Sequence, residues 1–316
     1  MSCKYGSSKE NYTFLRNSPY YGNLIQGFET NELKQKREDV CTNFINDNSL
    51  RENSSVKEIC KEFMYMYNYL NKIHSSQKKD KTITDEDCHF MNYWLNLKLK
   101  KNNIDTSMCV NDFYDKLRIK DESFFSSPTL LEKHLHVIDS GNLKNMELLY
   151  ELYDTKQKII DEMYNQDITE NKKELCKTYT KKCYDIYIEG MDNCLNGYDD
   201  FYEALKDFKI SYNYAIEWDP KDLKNCQFSQ YFYLPNYDPV LEKQRNIMAS
   251  KILSAPLILS FYTPLGTFLR TKLNIVKNRW MNSDEYEREL SSLYTDIEDN
   301  ISNNGEYNIG YYSETN

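Results

Sequence analysis

Between Lys251 and Arg270 the chain runs for 18 residues without a charge, ILSAPLILSFYTPLGTFL. As a helix this run spans about 27 Å at 1.5 Å per residue, close to the ~30 Å hydrocarbon core of a bilayer. A stretch so apolar must be withdrawn from water, and two placements stay open: a short transmembrane helix over residues 252–269, or a helix packed inside the fold. Pro256, Pro264 and Gly266, with the hydroxyls of Ser254, Ser260, Thr263 and Thr267, lower its hydropathy. Pro and Gly are, however, better tolerated in membrane helices than in water-soluble ones. The boundaries favour the membrane: Lys251 precedes the run, and Arg270, Lys272, Lys277 and Arg279 follow it, a basic cluster of the kind that marks the cytoplasmic side. The region before the run is then expected outside and the tail, 270–316, inside. That tail is basic first and acidic afterwards, with nine acidic residues against the single Arg288 between Asp284 and Glu314.

The cysteines divide along the same line. Cys3, Cys41, Cys60, Cys88, Cys109, Cys176, Cys183, Cys194 and Cys226 all precede the uncharged run and none follows it. No two have the C-x-x-C spacing of zinc ribbons or redox sites, so the choice is between disulfides in an oxidising compartment and reduced thiols in the core. All nine are disulfide candidates, with one left over by the odd count. The opening MSCKYGSSKENYTF has no apolar h-region and is not a secretory signal peptide, so export would depend on the internal run or on an unconventional route.

Only 9 Gly and 7 Pro are present, too few for an all-β chain with a turn every 8–12 residues. Helices fit better. Val56, Ile59, Cys60, Phe63, Tyr67 and Leu70 recur at helical spacing and predict one buried stripe, ended by the polar stretch His74 to Lys81. Thr84 and Asp87 form a capping box for a helix reaching Lys101, with Cys88, Met91, Leu95 and Leu99 on one side. Further helices are predicted over 31–48, 106–117, 142–164, 169–189 and 198–218, and from Pro239 into the uncharged run. In the third of these Met146, Tyr150, Tyr153, Gln157, Ile160 and Tyr164 set a heptad-like stripe, and Gly190 is expected to end the fourth. With 28 Tyr among the aromatic residues, tyrosine takes many positions where leucine is usual. The expected class is all-α. Its layout is an irregular multi-helix ectodomain (1–235), a juxtamembrane helix or linker (236–251), one short transmembrane helix (252–269) and the tail.

The net charge of −9 argues against nucleic acid as a partner. No Gly-rich phosphate loop, G-x-S-x-G elbow, H-E-x-x-H or EF-hand loop occurs. His134 and His136 point apart on a helix and read as exposed histidines of no chemical role, and Cys88 beside His89 reads as a core or disulfide cysteine rather than a nucleophile. No catalytic, cofactor-binding or metal-binding residue is expected, no small-molecule substrate and no enzymatic activity.

Several stretches taken in order resemble a known family: CKEFMYMYNYLNKI (Cys60 to Ile73), CHFMNYWLNLKL (Cys88 to Leu99), MELLYELYDTKQKI (Met146 to Ile159), CKTYTKKCYDIYIEGMDNC (Cys176 to Cys194), YTPLGTFLRTKL (Tyr262 to Leu273) and the terminal YNIGYYSETN. Together they are similar to the Plasmodium interspersed repeat (PIR) family, in particular its Vir members. The resemblance implies a variant antigen exported by a malaria parasite into the infected red cell. It implies a Cys-bearing helical ectodomain, one transmembrane helix and a short cytoplasmic tail, without a conventional signal peptide. The implied roles are immune evasion and adhesion to a host cell-surface or serum protein, the other partner being the lipid bilayer. Family members have a longer, Phe- and Ile-rich membrane run than the one present here.

Overall fold

A computed structural model describes residues 3–6, 10–30, 38–47, 54–77, 83–125, 128–164, 169–217 and 226–262. Its described residues are predominantly helical, as an all-α chain requires. A 3-10 turn (Thr13–Asn17) leads into α1 (Ser18–Thr30), followed by α2 (Glu38–Asp47), α3 (Ser54–Gln77), α4 (Asp85–Lys101), α5 (Val110–Lys120), α6 (Pro128–His134), α7 (Ser140–Met163), α8 (Glu170–Asn193), α9 (Asp199–Glu217) and α10 (Pro239–Tyr262). The only extended pairing among the described residues is an isolated parallel bridge between Tyr5 and Val137.

The chain divides into two compact units, Met1–Val240 and Leu241–Asn316. The first is organised around α4. Thr84 Oγ1 accepts from the Asp87 amide at 3.2 Å while Asp87 Oδ2 accepts from the Thr84 amide at 3.1 Å, so the capping box forms in both directions. Asp85, Glu86 and Asp87 lie in its first turn and Lys98, Lys100 and Lys101 in its last, each sign where the helix dipole favours it. Cys88, Met91, Leu95 and Leu99 are buried, but so are Phe90, Tyr93 and Trp94 on the other faces, because α3, α5, α6 and α7 all pack against this one helix. A helix apolar nearly all round is an interior helix.

The stripe Val56, Ile59, Cys60, Phe63, Tyr67 and Leu70 is buried on α3. That helix runs on through the polar residues His74–Gln77, since hydrophilicity alone does not break a helix that contains neither Pro nor Gly. On α7 the helix is found and the predicted stripe is only part of the core face: Met146 and Tyr153 are buried, Tyr150, Gln157 and Ile160 half-buried and Tyr164 exposed, whereas Leu149, Leu152 and Ile159 outside the stripe are buried. Two neighbours, α8 and α9, pack on α7 and widen the buried arc beyond a single heptad seam. Gly190 lies inside α8 rather than at its end. A Cβ there would meet the two methyls of Leu205 at 3.1 and 3.2 Å, so the glycine lets α9 approach closely. The helix ends at Asn193 and a 3-10 turn, Cys194–Asn196, follows, closed by Gly197 at φ 88, in the left-handed region a Cβ disfavours. The helix predicted from residue 106 starts at Val110, after a turn in which the Met108 amide donates to the Ile104 carbonyl at 3.0 Å.

Of the second unit, the described part is the body of α10 from Leu241 to Tyr262. Leu241, Ile247 and Met248 on it are exposed. Among the described residues no helix is long and apolar enough to cross a membrane. The uncharged run enters α10 as far as Tyr262; residues 263–269, the boundary residues Arg270, Lys272, Lys277 and Arg279, and the acidic tail lie outside the described residues.

Candidate functional site

The cysteines sort into two kinds. Cys3–Cys109, Cys41–Cys60 and Cys176–Cys226 are disulfides with Cα–Cα separations of 5.8, 5.8 and 5.1 Å. Cys88, Cys183 and Cys194 are free and buried, where the odd count alone anticipates one left over. The division has a structural logic. Each disulfide ties a helix, or the residue that starts one, to a different segment, whereas Cys88 on α4 and Cys183 on α8 lie in the hydrophobic core. Burial pushes all three thiols up to about 12, the Asp87 and Asp85 carboxylates adding to the effect at Cys88. Such thiols are inert, and Cys88 is a core residue rather than the partner of His89 in a nucleophilic pair.

Two of these disulfides fasten irregular segments that cover the helices. At the N-terminus, residues 3–6 run beside the connector 135–139: the Val137 amide donates to the Lys4 carbonyl at 2.7 Å and Gly6 to Val137 at 3.3 Å. Lys4 Nζ donates to the carbonyls of Glu132 and Lys133 at the end of α6. The connector is clamped from beneath by α4. Asn96 donates to the His136 carbonyl at 2.9 Å and accepts from Ile138 at 3.1 Å, while Asn92 accepts from the His136 amide at 3.1 Å. Two buried amides thereby satisfy the backbone of a segment with no helix of its own. The connector ends at Asp139, which caps α7 by accepting from Gly141 and Asn142.

This arrangement gathers three histidines. The rings of His89 on α4 and His134 at the end of α6 meet edge to face, 4.4 Å between centroids. His134 Nε2 donates to Asp85 at 2.9 Å, and His136 Nε2 lies 3.2 Å from both oxygens of Glu10. The Glu10 side chain is only 5% exposed and that of His136 15%, so this pair is nearly closed off from water. His89 faces Phe14 on its other side, ring against ring at 6.2 Å. Burial and the two neighbouring imidazoles hold it down to about 4, only Asp85 pulling the other way. Among the described residues no group of three or more His, Cys, Asp or Glu is placed to hold a metal ion.

The second covering segment is residues 226–238, between α9 and α10. Cys226 is joined to Cys176 on α8, and one turn further the Thr180 and Ser229 hydroxyls meet at 2.7 Å. Tyr212 donates to the Phe232 carbonyl at 2.7 Å, Tyr202 to Asp238 at 2.6 Å, and Lys209 Nζ to Pro235 and Asn236. Burial holds the Tyr202 and Tyr212 phenols well above their ordinary range.

Among the described residues, grooves open between the helices. One of about 400 Å³ lies between α1, α4 and α7, floored by Phe90, Tyr93 and Trp94 and rimmed by Lys101 and Glu147, which pair at 2.6 Å. Another, about 330 Å³, runs between α7 and α9 under residues 10–16 and is edged by Glu10, Asp200, Glu203 and Asp207. No family model, curated protein or solved structure matches this chain.

Proposed function

We propose that the chain is a variant surface antigen of a malaria parasite, exported to the infected red cell, whose helical ectodomain serves immune evasion or adhesion to a host protein. The pairing of the cysteines carries this reading. Three disulfides fasten the Met1–Val240 unit, and disulfides form and persist in oxidising compartments, here on the side of the uncharged run where every cysteine lies. The ordered likeness to the PIR family and the basic cluster after residue 269 support the same topology, with residues 252–269 as the anchor, the lipid bilayer as one partner and the tail cytoplasmic. Function in such a protein lies in its outer surface and needs no catalytic residue. Ile210 and Tyr214, one turn apart on the outer face of α9, and Tyr233 are side chains from which a host protein would gain apolar contact. Protease treatment of intact infected cells tests the orientation: the ectodomain is expected to be cut and the tail spared, and the reverse pattern overturns it.

The shortness of the uncharged run and its two prolines favour a second reading, an internal structural or trafficking protein peripheral on a membrane, with residues 252–269 packed in the fold. Extraction at alkaline pH separates the two, since a spanning chain stays with the membrane pellet and a peripheral one is released.

A further inference from the structure

The three histidines are placed where the N-terminal segment meets the helices, and their partners are unequal. His134 has Asp85 and His136 has Glu10, whereas His89 has no hydrogen-bonding carboxylate and faces the ring of Phe14. We propose that His89, His134 and His136 form an acid-operated latch, with residues 10–17 as the moving part and the Cys3–Cys109 disulfide as its tether.

The closed state requires His89 to be neutral. The groups that face it are Asp85 on its own helix, His134 at the end of α6 and His136 in the connector. The N-terminal segment offers it no counter-charge: its carboxylate, Glu10, lies against His136. A proton arriving on His89 therefore lies between an apolar ring and two imidazoles, with Asp85 the one carboxylate that faces it. Movement of Phe14 away from His89 admits water to the charged ring and leaves the packing of α4 against α3, α5, α6 and α7 in place.

The direction follows from the His89 proton. Held down to about 4 when closed and returning to about 6.5 when open, the group takes up a proton on opening, so acid favours the open state across that interval. Cys3–Cys109, the Tyr5–Val137 bridge and the Lys4 contacts contain no histidine side chain, so the chain before residue 6 stays attached. Opening is local, and it uncovers Tyr12, Phe14 and Leu15 together with the groove edged by Asp200, Glu203 and Asp207.

Hydrogen exchange of the full chain in detergent micelles, disulfides intact, at pH 7 and pH 5 and corrected for intrinsic exchange, tests the latch. Residues 10–17 are expected to lose protection about tenfold at pH 5 while α3 and α7 keep theirs, and His89→Phe, which preserves a ring against Phe14, is expected to abolish the difference. Unchanged protection at 10–17, loss spread evenly over the unit, or the same loss in His89→Phe overturns the proposal. Should that variant fail to fold, the imidazole resonances of the unaltered chain decide: His89 titrating near 4 supports the latch, and an ordinary value near 6.5 overturns it.

Discussion

The two covering segments solve one problem with different chemistry. Residues 3–6 and 10–12 with their connector, and residues 226–238, are irregular chain laid over helices. Each is fastened by one disulfide and by side chains that satisfy its backbone. The first relies on asparagine amides and imidazoles, the second on phenols, hydroxyls and a lysine. Phenols raised by burial keep their protons through the neutral and acid range, whereas an imidazole changes charge within it. The same architectural task thus yields one cover that responds to mild acid and one whose phenols do not.

Cutting the fastenings separates the two covers. A larger effect than that of any single hydrogen bond is expected from the double substitution Cys176→Ala and Cys226→Ala: their separation of 50 residues gives a loop whose closure contributes about 4 kcal/mol. Chemical denaturation measures the loss, and exchange should rise at 226–238 but not at 135–139. Asn96→Leu strikes the other cover, removing the donor to His136 and the acceptor for Ile138 within a buried site, at a cost of about 2–3 kcal/mol. A cost below ~1 kcal/mol in thermal unfolding would mean that the connector holds itself. Tyr212→Phe deprives only the Phe232 carbonyl of its donor and should cost about 1 kcal/mol, equally at pH 7 and pH 5. Lys209→Met is the mildest, about 0.5 kcal/mol, since its contacts to Pro235 and Asn236 lie near solvent.

Much of the helical framework is legible in the sequence. Helical recurrence locates α3 and α7, and the Thr84–Asp87 box locates the start of α4 to the residue, because both depend on groups within one or two turns. The all-α class follows from them. Less legible is whatever depends on the neighbour. Gly190 reads as a terminator until Leu205 is seen against it, and the α7 stripe catches only part of the arc covered by α8 and α9. The first helix, α1, goes unread, although Pro19 in its first turn and Tyr21 three residues before Leu24 are its local signals. The histidine cluster could not be found by spacing at all. His134 and His136 read as exposed and inert, and their contacts with Asp85 and Glu10 span 49 and 126 residues. Which cysteines pair is hidden for the same reason: partners lie 106, 19 and 50 residues apart, and no local pattern distinguishes them from Cys88, Cys183 and Cys194.

Those three thiols make the protein its own stopwatch. Only a thiolate reacts with an alkylating reagent, and each is withheld until its surroundings part. Cys88 precedes His89, the residue that Phe14 of the N-terminal cover faces, and Cys183 and Cys194 belong to α8 and the turn that ends it, where the tyrosine-held cover is fastened. The order in which a trapping reagent marks them therefore records which cover lifts first, without a label having to be introduced.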